Sequence, residues 1–419
     1  MRKHDPYRLV ILGGFGFDNL GDDLILRSAL SQFRKVLGTV EITVLSNNPC
    51  ETAARHRGEV VLFSPEALLR QIILRVLSRV SSYHRRYLLP LPGDHFRRLL
   101  VSLWKSDLVV SLGGGYLNDY SKFLTHSRLA ELLFIGLCKK RLFLYGHEIG
   151  PLNRLTLRTL GGLAFKFVSY ATVRDERSAC VLLGLGFLKE RLSFTADEAW
   201  AYEPQSAINL RPDMSEKKNG LVVAVNVISF RVLANVSRIT SPERKDEQLL
   251  SQLSTWISSL TPGLRLMFFI SMSKEDEALG HRLRELVRKQ VPVEIVTDLN
   301  SQYSALAESH AAIAARMHPI IMAAQMSVPT LALGVTPKVS QTMKDVGLSD
   351  YTVPVSPLEA AALQDAFDRL THNEETLRKL MKERLAPMRL RASLNAKLVL
   401  KILSSTWLQK EGKRRVSHP

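Results

Sequence analysis

Four acidic or amide side chains crowd the first glycine-rich turn of the sequence, "GGFGFDNLGDD", which follows the apolar run 9–12. They are Asp18, Asn19, Asp22 and Asp23, and Gly16 lies directly before them. Short polar side chains beside an open backbone can accept hydrogen bonds from the hydroxyls of a sugar. The alternative is that Asp22 or Asn19 caps the following helix. One cap needs only one side chain, so the cluster favours a ligand-binding role.

A second group of side chains, in the last third of the chain, could bind an anion and supply a proton. The stretch "AAIAARMHP" predicts a small apolar strand that delivers Arg316 and His318 to the same side of an extended chain. Pro319 then opens a helix. A further predicted strand, 330–335, leads to Lys338, so the three side chains share one strand-end rim. Histidine titrates near neutral pH and suits a general acid, although a structural histidine is the alternative.

A run of three glycines, Gly113, Gly114 and Gly115, follows another apolar strand in "VVSLGGGYLNDY". Adjacent glycines allow backbone N–H groups to approach a ligand without interference from a Cβ atom. A tight crossover without any ligand is the alternative. We include the three residues among the candidates for binding an anionic donor.

Two more predicted strands end in side chains of interest. His147 and Glu148 follow the strand in "LYGHEIGPL", and Arg174 ends the strand in "YATVRDERS", where Asp175 can cap the next helix. Ligands of open α/β sheets bind outside the carboxyl ends of the strands. These three positions are therefore candidates for ligand binding.

Strand-like runs alternate with helix-like stretches throughout the chain. The predicted strands cover residues 8–12, 41–45, 107–112, 142–146, 170–174, 192–195, 221–229, 265–271, 293–297, 311–315, 330–335 and 351–355. Such alternation is typical of parallel sheets covered by helices. The fold class predicted is α/β, with two doubly wound, Rossmann-like domains that face each other across a cleft.

A polar segment with two prolines separates the two sets of predicted strands. We predict an N-terminal domain over residues 1–205, a linker over 206–219 and a C-terminal domain over 220–356. Residues 357–419 are expected to form helices and a basic tail. In this arrangement the N-terminal domain serves the acceptor and the C-terminal domain the donor.

One segment of the N-terminal domain, residues 66–106, is both amphipathic and rich in arginine. Its arginines between the apolar positions are Arg70, Arg75, Arg79, Arg85, Arg86, Arg97 and Arg98. A basic amphipathic helix can lie in the surface of an anionic membrane. The alternative is a helix packed on the sheet with a solvated basic face.

The composition restricts the class of protein and its partners. Lysine and arginine number 57 against 40 acidic residues, so acidic partners are expected. Motifs for nucleic-acid binding and aromatic platforms between the basic residues are missing, which excludes nucleic acid. Cys50, Cys138 and Cys180 have no CxxC spacing, and we expect buried, inert thiols in a reducing compartment. Without a signal peptide or a long apolar span, the expected location is cytoplasmic, peripheral on the inner membrane face.

Six stretches, in this order, resemble the motifs of the polysaccharide pyruvyl transferase family. They are "GFGFDNLGDD", "LGGGYLND", "GHEIGP", "VRDERS", "TADEAW" and "ARMHP". The resemblance covers about residues 8–350. His147 and Glu148 stand where small or amide residues are expected, and Glu198 and Trp200 alter the end of the fifth motif. These departures concern the choice of acceptor more than the type of reaction.

The resemblance implies a GT-B-type enzyme that moves the enolpyruvyl group of phosphoenolpyruvate onto a sugar, forms a pyruvate ketal and releases phosphate. The sugar would belong to a cell-surface polysaccharide or its lipid-linked precursor. Phosphoenolpyruvate carries a carboxylate and a phosphate, and arginine pairs with both in a planar, bidentate manner. Arg174 and Arg316 would hold it, with Lys338 as a third cation and the glycine turn 113–115 adding N–H groups.

The same implication assigns the proton transfers. His318 would protonate the methylene carbon of the donor. Asp22 and Asp23, assisted by Asn19, would orient or deprotonate the acceptor hydroxyl. The remaining acceptor-binding candidates are Asp18, Gly16, His147 and Glu148. Neither a metal ion nor a cofactor beyond the co-substrate phosphoenolpyruvate is expected.

Two other functions remain open from the sequence alone. A GT-B glycosyltransferase that uses a nucleotide-sugar would have nearly the same fold, and a fold does not determine a function. A non-catalytic protein that binds an anionic glycan or a membrane surface is the other alternative. The set formed by Arg174, Arg316 and His318 argues against a decayed site.

Overall fold

Short apolar runs form the strands of two parallel sheets, and helices connect them. The computed structural model describes residues 6–77, 88–89, 93–120, 122–204, 220–234, 239–260, 263–334, 336–355 and 358–416. The chain divides into a first unit, residues 1–202 with 390–419, and a second unit, residues 203–389. The predicted linker 206–219 lies outside the described residues.

The first unit is built on a seven-stranded sheet. Its elements are β1 (Tyr7–Leu12), α1 (Leu20–Leu37), β2 (Val40–Ser46), α2 (Pro49–Arg55), β3 (Val60–Phe63), α3 (Pro65–Leu77), α4 (His95–Lys105), β4 (Leu108–Leu112), α5 (Lys122–Leu137), β5 (Leu142–His147), α6 (Leu155–Phe165), β6 (Val168–Val173), α7 (Glu176–Gly184) and β7 (Leu192–Phe194). The strand order is β3-β2-β1-β4-β5-β6-β7, with every neighbouring pair parallel. Two short 3-10 turns flank β7, at Lys189–Arg191 before it and at Glu198–Ala201 after it.

The second unit is built on a six-stranded sheet. Its elements are β8 (Leu221–Asn226), α8 (Phe230–Ala234), α9 (Pro242–Leu260), β9 (Leu264–Ile270), α10 (Lys274–Val287), β10 (Val293–Val296), α11 (Leu299–Glu308), β11 (Ala311–Ala314), α12 (Met317–Gln325), β12 (Thr330–Gly334), α13 (Pro337–Asp345), β13 (Thr352–Pro354), α14 (Ala360–His372) and α15 (Glu374–Val416). The strand order is β10-β9-β8-β11-β12-β13, again parallel throughout. A 3-10 turn at Ser349–Tyr351 precedes β13.

The central strands are buried on both faces. Leu9, Val10, Ile11 and Leu12 are each at most 1% exposed, which is the pattern of a parallel strand covered by helices on both sides. One side of this sheet packs against residues of α3 to α7 in a single hydrophobic cluster. The predicted fold class, α/β with two doubly wound parallel sheets, is confirmed.

The strand predictions missed one element. β3 has only four residues, "VVLF", and α3 begins two residues after it ends. Such a short apolar run next to a helix carries little periodicity, so no sequence pattern separates it from its neighbour. The first sheet therefore has seven strands where six were predicted.

The last helix, α15, contributes residues to both units. The prediction treated residues 357–419 as a separate region, whereas the structure assigns the part up to Arg389 to the second unit and the part from Leu390 to the first. In the first unit, the buried Asn395 side chain accepts a hydrogen bond from Thr172 Oγ1 at 2.6 Å. It also donates to the carbonyl oxygen of Ala196 at 3.2 Å, so this end of α15 is joined to the sheet by specific contacts.

The three cysteines are exposed, contrary to the expectation of buried thiols. Cys50 and Cys180 lie on the solvent side of α2 and α7, and Cys138 directly follows α5. Helix surfaces tolerate any small side chain, so the usual burial of cysteine did not apply here. Within the described part of the chain, we find no helix that is both long and apolar enough to cross a membrane.

Candidate functional site

The first sheet has a topological switch point between β1 and β4. These strands are neighbours, while the chain continues from β1 toward β2 on one side and from β4 toward β5 on the other. Ligands of doubly wound sheets bind outside the carboxyl ends of the strands at such a point. The glycine turns that begin at Gly13 and Gly113 follow β1 and β4, so both lie at this edge.

Asp22 lies between the two glycine turns. A Cβ atom at Gly14 would approach Asp22 Oδ2 to 2.7 Å, and one at Gly114 would lie 3.4 Å from Oδ1. The missing side chains thus make room for this carboxylate. Asn19 Nδ2 donates a hydrogen bond to Asp22 Oδ2 at 2.9 Å, which fixes its orientation.

The pKa of the Asp22 carboxyl is raised to about 7 from its ordinary value of 3.8. Burial is the largest cause and the negative charge of Asp23 the next, while the hydrogen bond from Asn19 acts in the opposite direction. A carboxyl with a pKa near neutral pH can take up a proton from a hydroxyl and give it back. The Asp22 carboxyl can therefore change its protonation state near neutral pH.

The capping alternative holds for Asn19 and not for Asp22. Asn19 is the N-cap of α1, and its Oδ1 accepts a hydrogen bond from the Gly21 N–H at 3.1 Å. One side chain therefore satisfies the helix end and orients the carboxylate beside it. We keep Asn19 as a positioning residue for Asp22.

Asp23 and Asp18 form ion pairs with Arg55. Asp23 is 3% exposed, contacts the Arg55 guanidinium and lies 3.4 Å from His56 Nε2. Asp18 Oδ1 lies 3.6 Å from Arg55 Nη2. The buried Asp23 carboxylate joins α1 to α2, and its catalytic role stays a prediction. Asp18 is partly exposed and remains an untested acceptor-binding candidate.

Gly16 has a backbone reason for its identity. Its φ of +78° lies in the left-handed region, and a Cβ atom would collide with the backbone nitrogen of Asn48. The turn thus packs directly on the connection between β2 and α2. This packing explains the glycine without any ligand, so acceptor binding by Gly16 stays a prediction.

The glycine run after β4 is only partly available to a ligand. The N–H of Gly113 donates to the carbonyl oxygen of Tyr145 at 2.7 Å, and a Cβ atom there would collide with the carbonyl of Gly146. Gly113 is therefore required for packing between β4 and β5, and its role in donor binding stays a prediction. Gly114 borders Asp22, and Gly115 is exposed at the rim.

His147 lies inside the first unit. Its ring is fully buried, and Nε2 lies 2.9 Å from the carbonyl oxygen of Ser111. Burial lowers the pKa of His147 to about 4, so the ring is neutral at physiological pH. No edge of the ring reaches the surface, and acceptor binding by His147 stays a prediction.

Arg174 is paired with two carboxylates of the first unit. Its guanidinium contacts Asp197 and Glu148, which are the residues of the fifth and third motifs. The Arg174 side chain is 9% exposed, and Glu148 is the more exposed of its partners. An anion would therefore have to displace a carboxylate to reach this guanidinium. The Glu148 carboxylate, which was predicted to bind the acceptor, is already paired with Arg174.

The second sheet has its switch point between β8 and β11, and Arg316 lies there. The chain leaves β8 toward β9 and β11 toward β12, in opposite directions. Asn226, the last residue of β8, accepts a hydrogen bond from the Arg316 N–H at 3.1 Å. The Arg316 guanidinium contacts both oxygens of the buried Asp276 carboxylate, at 2.7 and 2.8 Å. The side chain keeps 20% of its surface exposed.

His318 lies in the first turn of α12 and not on an extended chain. Arg316 is the N-cap residue, so the strand-like alternation assumed for the two side chains is wrong. β11 ends at Ala314, two residues earlier than Arg316, because the helix begins at once. Lys338 is the second residue of α13, after β12. Because β11 and β12 are parallel neighbours, all three residues still follow adjacent strand ends.

Sequence reasoning missed a buried charged group beside Asp22. Arg128 is 2% exposed and pairs with Glu131 at 2.6 Å and with Glu66 at 3.6 Å. Its guanidinium also lies 5.6 Å from the centre of the Tyr116 ring, and its charge lowers the pKa of Asp22. In "SRLAELL" the arginine looks like an ordinary solvent-facing helix residue, so no local signal marks it.

The family of the chain follows from a comparison of sequences. The model of the family described as polysaccharide pyruvyl transferase matches residues 19–337. The chain belongs to the polysaccharide pyruvyl transferase family. The predicted resemblance and the prediction of a transferase enzyme are thereby confirmed. The matched range begins at Asn19, includes His318 and ends one residue before Lys338.

One curated relative and two solved structures are similar to this polysaccharide pyruvyl transferase over most of their length. The amylovoran biosynthesis protein AmsJ of Erwinia amylovora is 19% identical over 394 residues, which cover 88% of this chain and 93% of AmsJ. Anabaena HepE in complex with UDP has a TM-score of 0.55 at 12% identity, covering 95% and 100% of the two chains. A putative UDP-N-acetylglucosamine 2-epimerase from Listeria monocytogenes has a TM-score of 0.58 at 10% identity, covering 96% and 97%. These structures show a shared GT-B-like fold.

Proposed function

We propose that this transferase moves the enolpyruvyl group of phosphoenolpyruvate onto a sugar of a cell-surface polysaccharide or its lipid-linked precursor. The product is a pyruvate ketal, and phosphate is released. The observation that carries the proposal is the family match over residues 19–337, which spans both Asp22 and His318. The geometry of each unit supplies the groups that such a reaction needs.

The rim of the second unit suits an anionic donor. Asp276 binds Nε and Nη2 of Arg316, and Nη1 makes no hydrogen bond to the described residues. The guanidinium therefore keeps one edge for a carboxylate or phosphate. Lys338 and the N-terminus of α12 add positive charge at neighbouring strand ends.

His318 is our candidate for the acid that protonates the methylene carbon of phosphoenolpyruvate. Protonation makes the neighbouring carbon electron-poor, and a sugar hydroxyl attacks it. A second hydroxyl of the sugar then displaces phosphate, which leaves with the electrons of its C–O bond. The carboxylate of Asp22, in the first unit, is the candidate acceptor of a hydroxyl proton.

The reaction is tested by measuring phosphate release from phosphoenolpyruvate with a panel of glycan acceptors, followed by the mass of the product. The His318→Ala variant should abolish ketal formation while its thermal unfolding stays that of the wild type. Ketal formation by the folded variant would remove His318 from the mechanism.

Nucleotide-sugar transfer is the second candidate function, because Anabaena HepE was solved with UDP. The same acceptor panel, with UDP-sugars in place of phosphoenolpyruvate, separates the two. Release of UDP, together with no phosphate release from phosphoenolpyruvate under any acceptor, would overturn the pyruvyl transferase proposal.

A further inference from the structure

Helix α4 has an apolar outer face that the described residues leave exposed. His95, Leu99 and Leu103 on its inner face are buried. On the outer face Phe96 is 56% exposed, Leu100 38%, Val101 39% and Trp104 75%. Four large apolar side chains in one helix of eleven residues are far more than scattered surface hydrophobics.

The same helix is exclusively basic. Arg97, Arg98 and Lys105 are exposed between or beside the apolar positions, and no aspartate or glutamate lies between His95 and Lys105. An acidic protein surface could neutralise these charges, but it would leave a face of tryptophan, phenylalanine and leucine in need of an apolar partner. An anionic lipid surface supplies both, because its phosphates meet the cations and its acyl boundary takes up the apolar side chains.

The neighbouring helix on the edge strand has a similar outer surface. α3 and α4 both pack on β3, which is the edge strand of the first sheet. α3 exposes Leu69, Ile72 and Ile73. The whole chain carries a formal net charge of +17, which draws it toward an anionic surface at long range.

We propose that the outer face of α4 docks on an anionic membrane surface, with Trp104, Phe96 and Leu100 inserted at the level of the headgroups and Arg97, Arg98 and Lys105 paired with lipid phosphates. Tryptophan is the side chain that most favours this interface. The docking surface goes beyond the proposed reaction and does not depend on its donor. It would hold the enzyme where a lipid-linked acceptor is found.

The test is sedimentation of the full-length protein with phosphatidylcholine vesicles and with vesicles that contain about one third phosphatidylglycerol. The wild type should bind the anionic vesicles and lose this binding at high salt. The variant F96S/L100S/W104S should bind at least about tenfold more weakly. The variant R97E/R98E/K105E should bind about 100-fold more weakly to anionic vesicles, since each basic residue near the surface contributes roughly a factor of five.

Matched controls exist in the same unit. Leu155, Leu163 and Leu188 are also exposed apolar residues, and L155S/L163S/L188S should bind vesicles as the wild type does. Arg158, Lys166 and Arg177 are exposed, and R158E/K166E/R177E changes the net charge by the same amount as the α4 charge variant. Binding that falls equally in the control and α4 charge variants would show that only net charge matters and would overturn the assignment to α4.

Two other results would also overturn the proposal. One is a wild type that does not bind anionic vesicles. The other is a wild type that is a dimer by light scattering, together with a variant F96S/L100S/W104S that is a monomer and binds vesicles as the wild type does. The outer face of α4 would then join two copies of the chain. Circular dichroism and phosphate release with a water-soluble acceptor check that the variants are folded, and they report on the proposed reaction independently of lipid.

Discussion

The carboxylates of the first glycine-rich turn have different tasks although they are neighbours in sequence. Asp23 is bound by Arg55 and His56 and joins two helices, whereas Asp22 accepts a hydrogen bond from Asn19 Nδ2 and lies at the switch point. Asp22 has its pKa raised to about 7, while an internal cation holds Asp23. A charge cluster in a sequence can thus contain one carboxylate at a switch point of the sheet and another that joins two helices.

Asp22→Asn should lower kcat by about 10²–10⁴ if Asp22 is the general base. The rate of the wild type should rise with pH through about 7, since the base must be deprotonated, and this rise should vanish in the variant. Steady-state phosphate release between pH 5.5 and 8.5 measures both effects, with the exposed Asp350→Asn as control. An unchanged pH profile in the variant would show that another group titrates.

The same substitution has an expected effect on stability. Folding raises the pKa of Asp22 above 3.8, so its favourable contribution is complete below that value and is lost as the pH rises through about 7. The Asp22→Asn variant should therefore have a higher Tm than the wild type at pH 8, and the difference in Tm should be smaller at pH 5. Such an exchange of activity for stability is typical of catalytic groups held in unfavourable surroundings.

Arg316 contacts the buried Asp276, and a double substitution can separate its effect on stability from its proposed role in donor binding. Arg316→Ala should weaken donor binding and also destabilise the protein by about 3–5 kcal/mol, because the fully buried Asp276 carboxylate loses its partner. The double variant R316A/D276A should recover much of the stability but none of the donor affinity. Urea unfolding and the KM for phosphoenolpyruvate measure these effects; recovered affinity would contradict donor binding by Arg316.

At the scale of elements, one side chain joins the last helix to the end of two strands. Thr172 Oγ1 accepts from the Gly146 N–H at 2.7 Å and donates to Asn395 Oδ1 at 2.6 Å. This chain of bonds connects β5, β6 and α15. It satisfies the Gly146 N–H near the end of β5, where His147 is the last residue of the strand and Glu148 follows it.

Asn395→Ala should destabilise the first unit by about 1–3 kcal/mol, because the Thr172 hydroxyl and the Ala196 carbonyl lose a buried partner. Thermal unfolding followed by circular dichroism measures the loss. Ser393→Ala, at a partly exposed position two residues earlier in α15, is the matched control and should have little effect, because its hydroxyl bonds only within the helix, to the Leu390 carbonyl. Equal stability of the two variants would mean that the contacts of Asn395 are not maintained in solution.

Elements were predicted from sequence far better than the contacts between their ends. Strands such as β1 and β4 are apolar runs, and their burial depends only on local composition. The partners of the charged residues are distant in sequence: Arg55 lies 32 residues from Asp23, Arg174 lies 23 from Asp197 and Arg316 lies 40 from Asp276. No spacing rule links such residues, so the sequence named candidate groups without showing which of them have internal partners.

At the scale of the whole molecule, the two units repeat one arrangement. Each has a parallel sheet with one switch point, and each switch point carries polar residues on the loops after its two strands. The first has a carboxylate between glycine turns, and the second has a guanidinium and an imidazole at a helix start. The chemistry of a unit is therefore set by a few residues on a shared scaffold.

Acid should destabilise the protein through the buried imidazole of His147. Folding lowers the pKa of this group from 6.5 to about 4, so its contribution is complete above 6.5 and is lost as the pH falls toward 4. Between pH 7 and pH 5 the free energy of unfolding should fall by about 2 kcal/mol from this group alone. Urea unfolding at both pH values should show a smaller fall for His147→Gln; an equal fall would assign the acid sensitivity elsewhere.

The divided first unit has a consequence for synthesis on the ribosome. Residues 203–389 form a contiguous segment, whereas the first unit needs Asn395, which is translated after the entire second unit. The nascent chain can fold the second unit while the first unit still lacks its segment of α15, which begins at Leu390. Termination just before Asn395 would thus release a chain whose second unit is complete and whose first unit lacks this contact.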